Sequence, residues 1–212
     1  MVLIQRAGEG REEGAGSRAS SARARITNIG HATLLIEIGG VRVLTDPNFD
    51  PRLAGILGRV APPGIALEQL PPLNAILLSH AHADHLSRRS LNKLPPNIPI
   101  FAPPAVARRL NGVGVAPGET VSVNGLSIQA AKAKHRVVGG ANMYRLDASD
   151  ASIFFAGDTG LTSKTHEMGP VDIALLPIGK APWWRPGFRR NHLSSDDALV
   201  LFERLGARYL IP

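Results

Sequence analysis

Between Ala75 and His85 the chain reads Ala-Ile-Leu-Leu-Ser-His-Ala-His-Ala-Asp-His, an apolar run opening into three histidines and one aspartate within six residues. Ala75–Ser79 is short and continuously apolar, the pattern of a strand covered on both faces. In an extended segment side chains two apart project to the same side, so His80 and His82 can face one cation. Asp84 and His85 follow where the chain must leave the strand, and can turn toward a second cation beside the first. Imidazole and carboxylate without thiolate suit Zn²⁺, with Mn or Fe also compatible. The chain contains no Cys, which removes disulfides, thiolate ligands and a cysteine nucleophile together. The fold must therefore deliver a buried strand whose far end carries a metal site.

The rest of the sequence supplies the surroundings of such a strand. Ile26–Ile29, Thr33–Ile38 and Val41–Thr45 read as strands, the last two joined by a Gly39-Gly40 hairpin turn. Asp46–Pro72 is rich in Pro and Gly and reads as a long loop, of a length that in a compact domain usually serves function. Strands are predicted at Ile98–Ala102, Thr120–Val123, Leu126–Ala131, Asn142–Leu146, Ser152–Ala156, Ile173–Pro177 and Ala207–Pro212. Helices are predicted at Ser87–Leu94, Pro104–Leu110 and Ser194–Leu205, the last capped by Ser194 or Ser195 with Asp196-Asp197 in its first turn. Interspersed strands and helices point to a mixed α/β sandwich, and no internal repeat is visible.

Composition bounds the function classes. A chain of 212 residues with 44% hydrophobic and 19% charged residues is ordinary for a globular domain. Residues 1–24, mostly Gly, Ala, Ser, Arg and Glu after a four-residue apolar opening, read as a flexible tail before a domain over 25–212. No apolar run approaches the roughly 18–20 residues of a membrane span, and no secretory pattern opens the chain, so the cytoplasm is the expected compartment. The formal charge of +7 is scattered in pairs such as Arg88-Arg89, Arg108-Arg109 and Arg189-Arg190. It favours anionic substrates electrostatically but forms no polyanion-binding tail, and no nucleic-acid partner is expected.

His80-x-His82-x-Asp84-His85 resembles the metal-binding signature of the metallo-β-lactamase superfamily of metal-dependent hydrolases. The likeness extends through Asn28-Ile-Gly-His31-Ala-Thr, Gly40-Val-Arg-Val-Leu-Thr-Asp46-Pro47, Phe155-Ala-Gly-Asp158-Thr-Gly160 and Leu176-Pro-Ile-Gly179. These are similar to the branch containing N-acylphosphatidylethanolamine-hydrolysing phospholipase D and the ascorbate-6-phosphate lactonases. The resemblance implies a four-layer αβ/βα sandwich and two divalent metal ions. His80, His82 and His135 would bind the first ion, Asp84 and His85 the second, and Asp158 would bridge both. A metal-bridging hydroxide would be the nucleophile, Asp84 could take its proton, and His192 would assist a developing anion or leaving group. The implied substrate is a small-molecule or lipid-like anionic ester, a phosphodiester or a lactone. His31 and Asp46 match positions near the site without being implied as ligands.

The sequence also departs from that pattern. The family continues after the equivalent of Ile211-Pro212 with a further histidine, so the domain is expected to lack its C-terminal strand or helix. Asn74 and Ala81 stand where related sequences often carry Asp. His166 matches no motif and is expected at the surface, and Trp183-Trp184 are expected to pack a rim loop. Two other functions stay open on sequence: a nuclease of the same superfamily, and a non-catalytic metal-binding relic. Against the nuclease stand about 49 residues between His85 and His135, too few for a nucleic-acid-clamping domain, and an aromatic content of 5%.

Overall fold

The computed structural model describes residues 2–4, 23–179 and 190–212, without the side chains of 2–4, Lys164 and His166. Residues 5–22 of the expected tail and the Trp183-Trp184 pair lie outside the described residues, as does the side chain of His166.

The chain opens with β1 (Val2–Ile4), β2 (Ala24–Gly30), β3 (Thr33–Ile38) and β4 (Val41–Thr45), an antiparallel meander. Val2–Ile4 fall within the expected tail, yet they pair with Ala24–Ile26 as the sheet's edge. Gly39 and Gly40 turn β3 into β4 with φ of +55° and +77°, a conformation that glycine adopts without Cβ strain. The long Pro- and Gly-rich stretch that follows holds a small hairpin of β5 (Arg52–Leu53) and β6 (Leu57–Gly58) and a 3-10 turn at Leu67–Gln69. Strand β7 (Ala75–Leu77) adds in parallel to β4, and β8 (Ile100–Ala102) and β9 (Val113–Gly114) continue in parallel outward. Parallel pairing requires crossover connections, and α1 (Arg88–Leu91) and α2 (Pro104–Arg108) lie in them.

The second sheet repeats this plan. Strands β10 (Thr120–Val123), β11 (Leu126–Lys132), β12 (Asn142–Asp147) and β13 (Ser152–Phe155) form an antiparallel meander, and β14 (Ile173–Leu175) and β15 (Tyr209–Ile211) extend it in parallel. Helix α3 (Ser195–Arg204) occupies the last crossover. Ser194 caps it: its hydroxyl accepts from the Asp197 amide while the Asp197 carboxylate accepts from the Ser194 amide. Strand β15 is half-exposed rather than buried, because it ends the sheet among the described residues.

Alternation along the strands builds three apolar layers. Ile36, Ile38, Val43 and Leu77 of the first sheet meet Ile128, Leu146, Ile153 and Phe155 of the second in a central core. Their neighbours Leu35, Leu44, Ile76 and Leu78 face the α1–α2 side. Met143, Phe154, Ala174 and Leu176 face Ala198, Leu201 and Leu205 of α3. A strand covered on both faces has no polar alternation to show, hence the continuous runs at β7, β13 and β14. The outcome is the αβ/βα sandwich expected from sequence. Two bonds clasp the sheets near the site: the Tyr144 hydroxyl donates to Leu78 O at 2.8 Å, and the Asn142 amide donates to Ser79 O at 3.0 Å. No helix among the described residues is long and apolar enough to cross a membrane.

Candidate metal centre

Functional side chains enter from the C-terminal ends of strands in both sheets. Asp46 follows β4, the His80–His85 segment follows β7, His135 follows β11 and Asp158 follows β13. Strand β7 ends at Leu77, three residues before His80, so strand alternation does not aim the first two histidines. They converge through different ring nitrogens instead: His80 Nε2 and His82 Nδ1 lie 3.0 Å apart, and His135 Nε2 lies 3.0 Å from the same His82 Nδ1. Ligands about 2.0–2.1 Å from a tetrahedral ion lie roughly 3.3 Å from one another, close to this spacing.

The far side of each ring states which nitrogen is bare. Ser79 donates its hydroxyl and its amide to Asp46 at 2.6 and 2.7 Å, so its oxygen accepts from His80 Nδ1–H at 2.9 Å. His85 Nδ1–H donates to Asp46 Oδ2 at 2.8 Å, and His135 Nδ1–H donates to Asn191 O at 2.9 Å. With Nδ1–H tied off in all three, Nε2 is the nitrogen that His80, His85 and His135 each turn into the site, free to bind a cation once it gives up any proton. His85 Nε2 is buried and makes no hydrogen bond. An imidazole so oriented, backed by a carboxylate or carbonyl, is the usual arrangement of a metal-ligating histidine.

Asp158 joins the two halves. Its Oδ2 lies 3.8 Å from His80 Nε2, 4.0 Å from His135 Nε2 and 3.3 Å from His85 Nε2. Asp84 Oδ2 lies 3.8 Å from His85 Nε2 and 3.3 Å from His31 Nε2. Ligand atoms of His80, His82, His135 and Asp158 gather within 4.8 Å of one another, as do those of His31, Asp84 and His85. The donors, imidazole and carboxylate with ring nitrogens turned inward, fit divalent-cation binding.

Electrostatics keep His80 and His135 neutral and the Asp84 and Asp158 carboxyls ionised. Burial, reinforced by the neighbouring His85, pushes His80 down to about 2, and burial also lowers His135. At His85 burial again opposes charge most strongly, but the Asp158 and Asp46 carboxylates outweigh it and raise the ring to about 10. Burial would raise Asp84; the His31 hydrogen bond and the His85 charge overcome it and hold the carboxyl down at about 2. Asp158 is likewise held far below the usual carboxylate range: burial pushes upward, and His192 and His85 prevail.

The structure thus brings together all seven residues singled out in the sequence: His80, His82, Asp84, His85, His135, Asp158 and, with Nε2 3.3 Å from Asp158 Oδ2, His192. Sequence reasoning set His31 and Asp46 near the site as non-ligands without giving either a role, and it missed Asn48. Asp46, fully buried at φ +35°, holds His85 directly and His80 through Ser79; its place at a strand end before Pro47 was the available signal. Asn48 donates its side-chain amide to Ala83 O and Asp84 O at 3.1 and 3.0 Å, clamping the metal loop, and nothing in the sequence marks it. His31, at φ +54°, is a direct partner of Asp84 and packs edge-on against His85. Gly157, at φ +53°, precedes Asp158 because a Cβ there would come within 2.5 Å of Ser79 Cβ. The His135 and Asp158 loops are tied by Lys134 N–H to Thr159 Oγ1 at 3.0 Å and Gly160 N–H to Lys134 O at 2.9 Å.

Comparison with known proteins agrees with this architecture. Residues 41–212 match the family model of the beta-lactamase superfamily domain. The chain is 27% identical to N-acyl-phosphatidylethanolamine-hydrolyzing phospholipase D 1 of Caenorhabditis elegans, over 86% of this chain and 61% of that protein. It is 31% identical to a metal-dependent hydrolase of Methanopyrus kandleri, over 73% of this chain and 72% of that protein. A solved metallo hydrolase from Ignicoccus hospitalis superposes with a TM-score of 0.72 at 21% identity, covering 89% of this chain and 81% of its own. The chain spans about three-fifths of the length of several curated relatives, the nematode phospholipase among them. From the matched residues, the sandwich and the gathered ligands together, the chain belongs to the beta-lactamase superfamily domain family.

Proposed function

We propose that the chain carries the active site of a metal-dependent hydrolase. In this reading His80, His82 and His135 hold one divalent cation, Asp84 and His85 hold a second, and Asp158 touches both. The observation that carries it is the sorting of the ring nitrogens, with Nδ1 of His80, His85 and His135 tied off and Nε2 turned toward Asp158. Zn²⁺ suits the donor set best, with Mn or Fe compatible. When bound, such ions make water a stronger nucleophile near neutral pH and polarise the ester under attack.

The remaining work belongs to the chain. Asp46 keeps two imidazoles in the tautomer that faces inward. Asp84 stays ionised, is 31% exposed at its side chain, and can accept at a carboxylate oxygen the proton shed by attacking water. His192, partly exposed beside Asp158, is placed to donate from Nε2 to a departing oxygen. The substrate we propose is an anionic ester, a phosphodiester or a lactone. The nematode phospholipase relative and the chain's net charge of +7 support it.

The test measures bound metal by elemental analysis alongside turnover of a soluble bis-aryl phosphodiester and a lactone panel, for the wild type, H82A and D158N. The wild type should hold about two ions per chain and turn over at least one substrate, with both variants losing metal and about 100-fold or more in rate. Full metal content and full turnover in H82A would overturn the assignment.

A further inference from the structure

The β5–β6 hairpin and the residues just after it have no role in the site, yet they hold the two most exposed large apolar side chains described, Ile56 and Val60. Ile56 is 76% and Leu57 58% exposed, and Val60 is fully exposed. Ala54, Gly55, Gly58, Ala61 and Pro62 between and beside them are exposed as well. Single exposed apolar residues are ordinary, but a contiguous apolar tip marks a contact surface. A ribbon with two paired residues per strand does not hold itself together, so its root must fix it. Arg59 does so, donating Nε–H to Asp50 O at 2.8 Å and Nη2–H to Asn48 O at 2.6 Å. Asn48 is the residue whose amide clamps Ala83 O and Asp84 O, so the hairpin's root and the metal loop share one support.

The charge around this tip has one sign. Between Asp50 and Glu68 the only charged residues are Arg52 and Arg59. Arg59 is bonded to carbonyl and amide oxygens, none of them a carboxylate. Arg52 is exposed and makes no ion pair among the described residues. Helix α1 is docked on the same root, through Ser87 Oγ–H to Asp50 Oδ2 at 2.6 Å and Phe49 N–H to Ser90 Oγ at 2.8 Å. It presents Arg88 and Arg89, both exposed and without ion pairs among the described residues.

We propose that this hairpin docks the protein on an anionic lipid bilayer. Ile56 and Leu57 of the hairpin, with Val60 just beyond Arg59, enter the interface, and Arg52, Arg88 and Arg89 meet lipid phosphates. Through Arg59 and Asn48 the metal loop is then held at a fixed position relative to the membrane surface, where a lipid-like ester would reach it. The docking stands on the hairpin alone; its purpose rests on the proposed hydrolase activity.

The test is co-sedimentation of the full chain with vesicles of phosphatidylcholine alone or of phosphatidylcholine with one-third phosphatidylglycerol. The wild type should pellet with the anionic vesicles and release as salt rises. The triple variant I56S/L57S/V60S should bind about tenfold or more weakly. R52Q/R89Q should lose about fivefold per arginine on anionic vesicles only. Both variants should keep metal content and turnover of a water-soluble ester. A wild type that stays in the supernatant, or a serine variant that pellets equally, overturns the proposal. Loss of soluble-ester turnover in the serine variant would also overturn it, by making the hairpin a substrate clamp. So would a light-scattering shift from dimer to monomer, by making the tip an interface between copies. Vesicle binding is read without turnover, so failure of the hydrolase assignment leaves this result interpretable.

Discussion

Asp46→Asn removes a charge and one acceptor while leaving every proposed ligand in place, so it isolates the support behind the imidazoles. The carboxylate accepts three hydrogen bonds: from the Ser79 amide on Oδ1, and from the Ser79 hydroxyl and His85 Nδ1–H on Oδ2. If the Asn oxygen keeps the Ser79 amide, its NH₂ faces two donors. Ser79 must then turn its hydroxyl toward His80 Nδ1, and both His80 and His85 are driven to carry their proton on Nε2, where the site needs a lone pair. A supporting partner of this kind is worth about 10–100-fold in metal affinity. Without metal, His85 is charged at neutral pH, and removing one partner of a buried ion pair costs about 3–5 kcal/mol. For a chain of this size that lowers Tm by roughly 6–20 °C. The assay is thermal denaturation of chelator-treated protein at pH 7, with zinc affinity measured by competition. An Asp46→Asn protein with wild-type Tm and wild-type affinity would refute the reasoning, since it would mean that the Asp46–Ser79–His80 and Asp46–His85 contacts neither orient nor stabilise.

Further outcomes are expected from the same geometry. Chelator-treated protein should be most stable near pH 6.5. His85, raised to about 10, contributes stability that is full below its unfolded value and is lost as pH climbs through 10, while His80, lowered to about 2, loses stability as pH falls below about 6.5. A Tm that rises steadily from pH 6.5 to 9 would contradict this. Gly157→Ala should reduce metal binding and cost at least about 1–3 kcal/mol, because the methyl group collides with Ser79 and sits at a left-handed φ; unchanged metal content and unfolding midpoint would count against it. Tyr144→Phe removes the bond to Leu78 O and should cost about 1–2 kcal/mol in chemical denaturation, with unaltered stability the opposing result.

Local pattern was enough for the strands that are covered on both faces and for the metal loop. Leu77 and Phe155 announce the central core because burial on both sheet faces leaves few polar positions, and Ile36, Val43 and Ile128 announce it through alternation with half-buried polar neighbours. The pairing of Val2–Ile4, the hairpin at Arg52–Gly58 and the two-residue β9 were not legible. Each has too few residues to show a period, and each exists because a neighbouring backbone offers it hydrogen bonds.

The sequence by itself determined the donor chemistry: histidine and aspartate without cysteine, clustered after an apolar strand, and the sandwich that such runs must bury into. Only the tertiary structure decided which nitrogen of each ring faces inward. That choice is made by the group behind the ring, Asp46 from the end of another strand, Ser79 beside it and Asn191 from a distant loop. An imidazole's proton is assigned by its far-side hydrogen bond, and hydrogen bonds between residues 39 or 56 positions apart arise from folding rather than from spacing.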